Sequence, residues 1–418
     1  MDKFMIDGGR RLYGSVRLQS AKNSVLPLFA ASVLTEKRVI IKETPPISDA
    51  LCMAQILREL GAEVVFRGND VVIDSANACC HEISSTLTKE LRSSVFMLGS
   101  LLTRFHKALI AYPGGCDIGL RPIDLHLNAL KRLGVEIKER DGCIYCRADV
   151  LRGTDISLDF PSVGATENIM LAAVKAKGKT LLSGAAKEPE IVDLQNFLNG
   201  MGAKVSGAGT DEIEIEGVES LNGITYKPVK DRIEAGTFLI ACAICGGEVE
   251  VVGVKAEFVG ILLHKLRENG CKIHVKNDKI IIESNGRLKC NRRIETMPFP
   301  GFPTDLQAQM TALNAVSSGG ALVVENLFET RFKYVPELRK MGADIEVKGR
   351  TAFVRGVERL NGASVTAGDL RGGAALVLAA LGAEGTSEVL DLSHIDRGYY
   401  DLQGKLKNLG AEIKRVRV

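Results

Sequence analysis

The sequence predicts an α/β protein of two similar lobes, with helices inside and sheets outside, built from six repeats of about 70 residues, three per lobe. Three observations carry this. A helix–Gly–strand element recurs six times, as LRELGAEVV, LKRLGVEIK, FLNGMGAKV, KLRENGCKI, LRKMGADIE and KLKNLGAEI. Its shared glycines, Gly61, Gly134, Gly202, Gly270, Gly342 and Gly410, stand 68 to 73 residues apart. Each repeat also carries an earlier apolar helix followed by a short β-branched strand.

A glycine just past a helix supplies the left-handed residue that ends it before the chain turns into a strand. The earlier helices read as NSVLPLFAASVL, SSVFMLGSLL, ATENIMLAAVKA, DLQAQMTALNAV and LRGGAALVLAAL. Strands follow at RVIIKE, ALIAYP, KTLLSG, EVEVVG and ALVVEN, giving a β-α-β-α-β-β-like unit. The period is too long for an ordinary solenoid. One lobe is expected over residues 22–229 and the other over 1–21 and 230–418, with the hinge near KPVKDR and the active site in the cleft between lobes. The leading strands around FMIDGG and SVRLQS should complete the last repeat.

Composition narrows the function classes. A chain of 418 residues exceeds one core. A net charge of +3 gives no field for nucleic acid or membrane, and MDKFMIDGG has no apolar signal region. No apolar run reaches membrane-span length, so a cytoplasmic protein without membrane insertion is expected. The pairs Cys143/Cys146 and Cys242/Cys245 have zinc-like spacing, but the first continues a strand and the second lies in an apolar helix. They are read as small buried hydrophobes, with no metal and no disulfides. GKT at 178–180 lacks the earlier Walker glycine, and GAGTDE lacks a third glycine, so no nucleotide cofactor is expected. Glu188 and Glu190 in EPE are read as helix-start capping rather than an acid–base pair.

The repeat frame sorts the charges. Lys22, Arg92, Ser162, Arg232, Asp305 and Arg371 stand 37 to 42 residues before their shared glycines, where each first helix begins. Arg121 and Arg397 stand 13 before theirs. Helix N-termini gathered with Lys22, Arg121, Arg371 and Arg397 should form an anion trap. In YPGGCDIGLRP, a thiol on a glycine-rich loop near a fixed cation should be reactive.

SAKNSVLP, LRSSVFMLG, YPGGCDIGLRPIDLH, PSVGATENIM, EPEIVDL, DRIEAGTF, FPTDLQAQ, DLRGGAALVLA and HIDRGY together resemble the enolpyruvyl transferase family, in the branch that acts on UDP-N-acetylglucosamine. The resemblance spans nearly the whole chain. It implies the two-lobed inside-out α/β barrel and transfer of the enolpyruvyl group of phosphoenolpyruvate to the 3′-hydroxyl of UDP-N-acetylglucosamine, with release of phosphate, the first committed step of peptidoglycan synthesis. It implies no cofactor and no obligate protein partner. Cys116 resembles the acid that protonates C3 of phosphoenolpyruvate, and Asp305 the base for the sugar hydroxyl. Lys22, Arg121 and Arg397 resemble phosphate ligands, Arg371 with Arg397 the carboxylate ligands, and Asn23 a neighbour of the reacting centre. Arg92, Arg121, Pro122, Ile123, Asp124, Leu125, Ser162, Val163 and Leu327 resemble the nucleotide-sugar contacts.

Three alternatives are weighed. A shikimate 3-phosphate enolpyruvyl transferase would share the fold, but the cysteine loop speaks against it. A non-catalytic UDP-sugar-binding paralogue is opposed by joint retention of Lys22, Cys116, Asp305, Arg371 and Arg397. An RNA 3′-phosphate cyclase fits poorly with the near-neutral charge.

Overall fold

The computed structural model describes residues 2–114, 118–119 and 122–417. The chain divides into two compact units. One comprises residues 20–114 and 122–229; the other comprises 2–19, 118–119 and 230–417. Each has its own apolar core, with Phe29 and Phe197 among the largest fully buried side chains in the 20–229 unit and Phe238 in the 230–417 unit.

Six core helices begin the repeats: α1 (Lys22–Ala31), α2 (Met97–Phe105), α3 (Val163–Ala173), α4 (Arg232–Cys245), α5 (Gln307–Val316) and α6 (Leu370–Gly382). In α6 every residue from Leu370 to Leu381 is buried, and in α4 every residue from Arg232 to Ala243. A helix apolar all round has no solvent face, so it must lie inside. Within the 20–229 unit α2 packs on α3; within the 230–417 unit α4, α5 and α6 pack on one another. Gly372 and Gly373, which should weaken the start of α6, have a packing reason. A Cβ on Gly372 would lie 2.6 Å from Asp369 Oδ2, and one on Gly373 2.8 Å from Ile395 Cγ1.

The second helices are Ser48–Glu59, Asp124–Arg132, Pro189–Gly200, Gly260–Asn269, Val335–Lys340 and Leu402–Asn408. All six shared glycines after them have φ between +94° and +110°, the left-handed conformation the repeat demands.

Three sheets belong to each unit. Five have four strands: an antiparallel outer pair, a central strand following the core helix, and a lead strand that pairs parallel with that central strand. The second repeat has three strands, and a single parallel bridge from Glu82 to Leu109 stands where the lead strand would be. The expectation for the leading segment holds for one strand only. Asp2–Asp7 lies between Thr386–Leu390 and Glu412–Arg417 and completes the last repeat. Leu12–Arg17 instead pairs parallel with Gly247–Val252, as lead strand of the fourth repeat. The reason is topological: Asp2–Asp7 takes the place that a second hairpin strand fills in the other repeats, beside Glu412–Arg417, so the next strand leads the next repeat. Among the described residues no helix is long and apolar enough to cross a membrane.

Asn168 in α3 ties the 20–229 unit together. Its Oδ1 accepts from Gly99 N–H at 2.7 Å, so its amide nitrogen must donate, to Val95 O at 3.1 Å and to His126 Nδ1 at 3.1 Å. That fixes the His126 proton on Nε2. Asn168→Ala should strand a buried N–H and a buried carbonyl and lower unfolding free energy by about 1–3 kcal/mol in urea titrations.

Candidate active site

In the 20–229 unit, Lys22 opens α1 and its Nζ lies 2.6 Å from Oδ2 of Asp49, a buried residue in the first turn of the next helix. Asn23, beside it, is half-buried. Arg92 opens the short 3₁₀ turn Arg92–Phe96 and donates to Pro113 O at 3.3 Å, holding the entry of the cysteine loop. Cys116 and Arg121 lie outside the described residues. Pro122 and Asp124 are exposed, Ile123 is buried and Leu125 half-buried, with Asp124 opening the helix that carries His126. Ser162 caps α3, its hydroxyl accepting from Ala165 N–H at 3.3 Å, and Val163 is the first helical residue.

In the 230–417 unit, Asp305 sits in a 3₁₀ turn, Thr304–Leu306, that leads into α5. Its two oxygens are held separately. Arg331 donates to Oδ1 at 2.8 Å and Arg371 to Oδ2 at 3.1 Å. Both guanidiniums are almost fully buried, with side chains 3% and 4% exposed against 27% for Asp305, so the carboxylate alone reaches solvent. Arg331 also donates to Thr304 O at 3.3 Å. Arg371 donates to the Tyr399 hydroxyl at 3.2 Å, and that hydroxyl shares a 2.8 Å hydrogen bond with Thr237. Burial opposes the charge on Arg371, but Asp305 and then Tyr399 outweigh it and hold its pKa above the ordinary guanidinium range. Burial likewise raises the Tyr399 pKa, partly countered by Arg371 and Thr237, so the phenol stays protonated. Arg397 is half-buried at the end of the helix Ser393–Asp396, and Leu327 is half-buried on the loop after Gly320–Val324.

The anion trap needs one correction. Open helix N-termini were expected, but three core helices are closed by their own side chains. Asp231 accepts from Ile233 and Glu234 N–H at 2.8 and 2.9 Å, Asp369 from Arg371 and Gly372 N–H at 3.0 Å each, and Ser162 closes α3. A carboxylate there satisfies the orphan N–H groups and offsets the dipole. At these three helix starts the first backbone N–H groups are already engaged and offer less to an anion. Arg232, which shares the repeat position, is buried with its guanidinium 5.6 Å from the centre of the Phe299 ring.

The EPE segment also differs in part. Pro189 and Glu190 occupy the first helical turn as expected, but Glu188 makes no side-chain cap bond. Both glutamates are buried, and they lie close enough to Glu167 in α3 to act on its charge. Glu167 is 1% exposed, and among the described residues neither carboxyl oxygen has a hydrogen-bond partner. Burial, then Glu190 and Glu188, push its pKa well above the ordinary value of 4.5. The folded protein thus keeps a proton that the unfolded chain loses, and stability falls as pH rises from about 4.5 toward the folded value. Glu167→Gln should therefore melt above the parent near pH 8, with the difference closing at about pH 4, in calorimetric scans.

The sequence missed Asp49, Arg331 and Tyr399. Of these only Tyr399 falls in a quoted motif, HIDRGY. The cysteine pairs occupy the strand Cys143–Arg147 and the end of α4 as expected, but only Cys146 and Cys242 are buried, while Cys143 and Cys245 are half-buried.

Comparison with known proteins agrees with this geometry. The family model described as EPSP synthase (3-phosphoshikimate 1-carboxyvinyltransferase) matches residues 6–406. UDP-N-acetylglucosamine 1-carboxyvinyltransferase 2 of Caldanaerobacter subterraneus subsp. tengcongensis is 52% identical over 416 residues, covering 100% of both chains. UDP-N-acetylglucosamine 1-carboxyvinyltransferase 1 of Staphylococcus aureus strain N315 is 47% identical over 420 residues, again covering 100% of both. The crystal structure of the enolpyruvyl transferase NikO from Streptomyces tendae superposes with a TM-score of 0.89 at 25% identity, over 99% of this chain and 98% of that one. EPSP synthase from Acinetobacter baumannii, at 16% identity and a TM-score of 0.75 over 100% of both chains, shares the fold. The six-repeat inside-out α/β architecture, the family match and the full-length relatives converge: this chain belongs to the enolpyruvyl transferases and is a carboxyvinyltransferase enzyme.

Proposed function

We propose that the protein transfers the enolpyruvyl group of phosphoenolpyruvate to the 3′-hydroxyl of UDP-N-acetylglucosamine and releases phosphate. That is the first committed step of peptidoglycan synthesis, carried out in the cytoplasm and bearing on cell-wall biogenesis, cell shape, cell cycle and division. The observation that carries this reading is the name borne by relatives of full length at 47–52% identity.

The residues suit the chemistry. Phosphoenolpyruvate is a compact trianion, and Lys22, Arg121, Arg371 and Arg397 supply cations for its phosphate and carboxylate. Addition of an alcohol across its double bond needs a base at the hydroxyl and an acid at C3. Asp305 takes the hydroxyl proton as the sugar oxygen bonds to C2, and Cys116 gives a proton to C3. The C2–phosphate bond then breaks as a C3 proton returns to the Cys116 thiolate, which restores the double bond, and the proton held by Asp305 leaves with the phosphate. Asn23 stands near the reacting centre; Arg92, Arg121, Pro122, Ile123, Asp124, Leu125, Ser162, Val163 and Leu327 hold the nucleotide sugar. No cofactor or metal enters these steps.

Phosphate release from phosphoenolpyruvate, measured with each acceptor in turn, tests the assignment. Release only with UDP-N-acetylglucosamine supports it. Release with shikimate 3-phosphate would transfer the assignment to that substrate, and release with neither would make the protein a binding paralogue.

A further inference from the structure

Glu325 directly follows the strand Gly320–Val324 and is fully buried. A buried carboxylate is costly unless donors surround it, and this one has four. Oε1 accepts from the Thr296 hydroxyl at 2.9 Å and from Leu327 and Phe328 N–H at 2.9 and 3.2 Å; Oε2 accepts from the Thr304 hydroxyl at 2.9 Å. Two of these contacts fold the loop that carries Leu327 around the carboxylate. The fourth fixes the residue immediately before Asp305. A second connection runs the same way: Phe328, held by Glu325, lies under the Arg331 guanidinium, 5.9 Å from ring centre to carbon, and Arg331 holds Asp305 Oδ1.

We propose that Glu325 is a positioning residue that sets two elements at once: the turn presenting Asp305, through Thr304, and the Leu327 loop, through two backbone N–H groups. Its carboxylate is taken up by these four protein donors. It couples the placement of the base to affinity for the nucleotide sugar, and this rests on the roles given above to Asp305 and Leu327. A carboxylate suits the task because it accepts at both oxygens with no proton of its own to place. Glutamine keeps the shape but presents a donor to Thr304 and a weaker acceptor to the loop.

The test compares the full-length protein with Thr304→Val, Thr304→Ser and Glu325→Gln. It reads kcat by phosphate release, Kd for UDP-N-acetylglucosamine by calorimetry without phosphoenolpyruvate, and melting temperature. Thr304→Val cuts only the connection to the turn. Its kcat should fall about 10-fold, as a small misplacement of a reacting group does, with Kd held within about two-fold. Thr304→Ser restores the hydroxyl and should recover kcat. Glu325→Gln should lower kcat and raise Kd together, each by about five-fold or more. Equal losses of kcat and Kd in Thr304→Val, or no recovery in Thr304→Ser, would reduce Glu325 to general support of the fold and overturn the proposal. So would unchanged kcat and Kd in Glu325→Gln. A full rate in an Asp305 variant would instead remove the base assignment, and the Kd effect of Glu325→Gln would still be read separately.

Discussion

Asp305→Asn should lower turnover by about 10²–10⁴-fold, the range expected for loss of a positioned general base. The structure shows why asparagine is the sharper probe. Asp305 bridges two buried guanidiniums, and alanine would leave both without their carboxylate, a change that costs about 3–5 kcal/mol when a buried ion pair loses one partner. Asparagine keeps a carbonyl oxygen for one of them. Arg331 retains Thr304 O, and Arg371 retains the Tyr399 hydroxyl. Phosphoenolpyruvate should still bind to Asp305→Asn, because Arg371 is then less committed to its neighbour and freer for an incoming carboxylate. Rapid-quench phosphate release and a phosphoenolpyruvate titration separate the two effects. A normal rate with intact fold would remove Asp305 from the chemistry.

Cys116→Ala should reduce turnover by a comparable factor, about 10²–10⁴-fold, while leaving UDP-N-acetylglucosamine binding intact. The other thiols sharpen this expectation. Burial pushes Cys146, Cys242 and Cys271 up to about 12, and Cys245 higher still, so all four remain protonated and inert at neutral pH. Of the described loop, Gly119 has φ +135°, and a Cβ there would lie 2.4 Å from Glu329 Oε2 and 2.9 Å from Glu329 N, so only glycine fits. An epoxide mimic of phosphoenolpyruvate should therefore alkylate the peptide carrying Cys116, with the exposed Cys79 as an internal control for indiscriminate reaction. Label on Cys242 or Cys143, or undiminished turnover in Cys116→Ala, would show that the wrong thiol has been assigned.

Most of the fold was legible because it repeats. Six glycines in register, each following an amphipathic helix, carry the same local requirement six times, and the left-handed φ at every one reflects it. The site was legible only where it fell in that frame. Lys22, Asp305 and Arg371 stand at helix starts and could be found by counting. Asp49 could not, because its pairing with Lys22 arises from the packing of two helices and leaves no spacing signal. Arg331 belongs to no shared position, and its meaning appears only when Asp305 lies beside it. Asp231 and Asp369 were visible as residues, but whether a side chain closes its own helix or leaves it open to a ligand depends on the extended backbone angles of the capping residue itself. The same limit explains the strand Leu12–Arg17: its sequence marks it as a strand, while its partner is decided by which repeat lacks a leader.

That strand and its neighbour Asp2–Asp7 bear on how the chain comes off the ribosome. Residues 20–114 and 122–229 form one compact unit with its own core, and domains generally fold as units during synthesis. The first seventeen residues follow a different schedule. Asp2–Asp7 has no neighbours until Thr386–Leu390 and Glu412–Arg417 exist, and Leu12–Arg17 waits for Gly247–Val252. These two strands thus precede the 20–229 unit in the chain yet are seated only once strands that follow that unit exist.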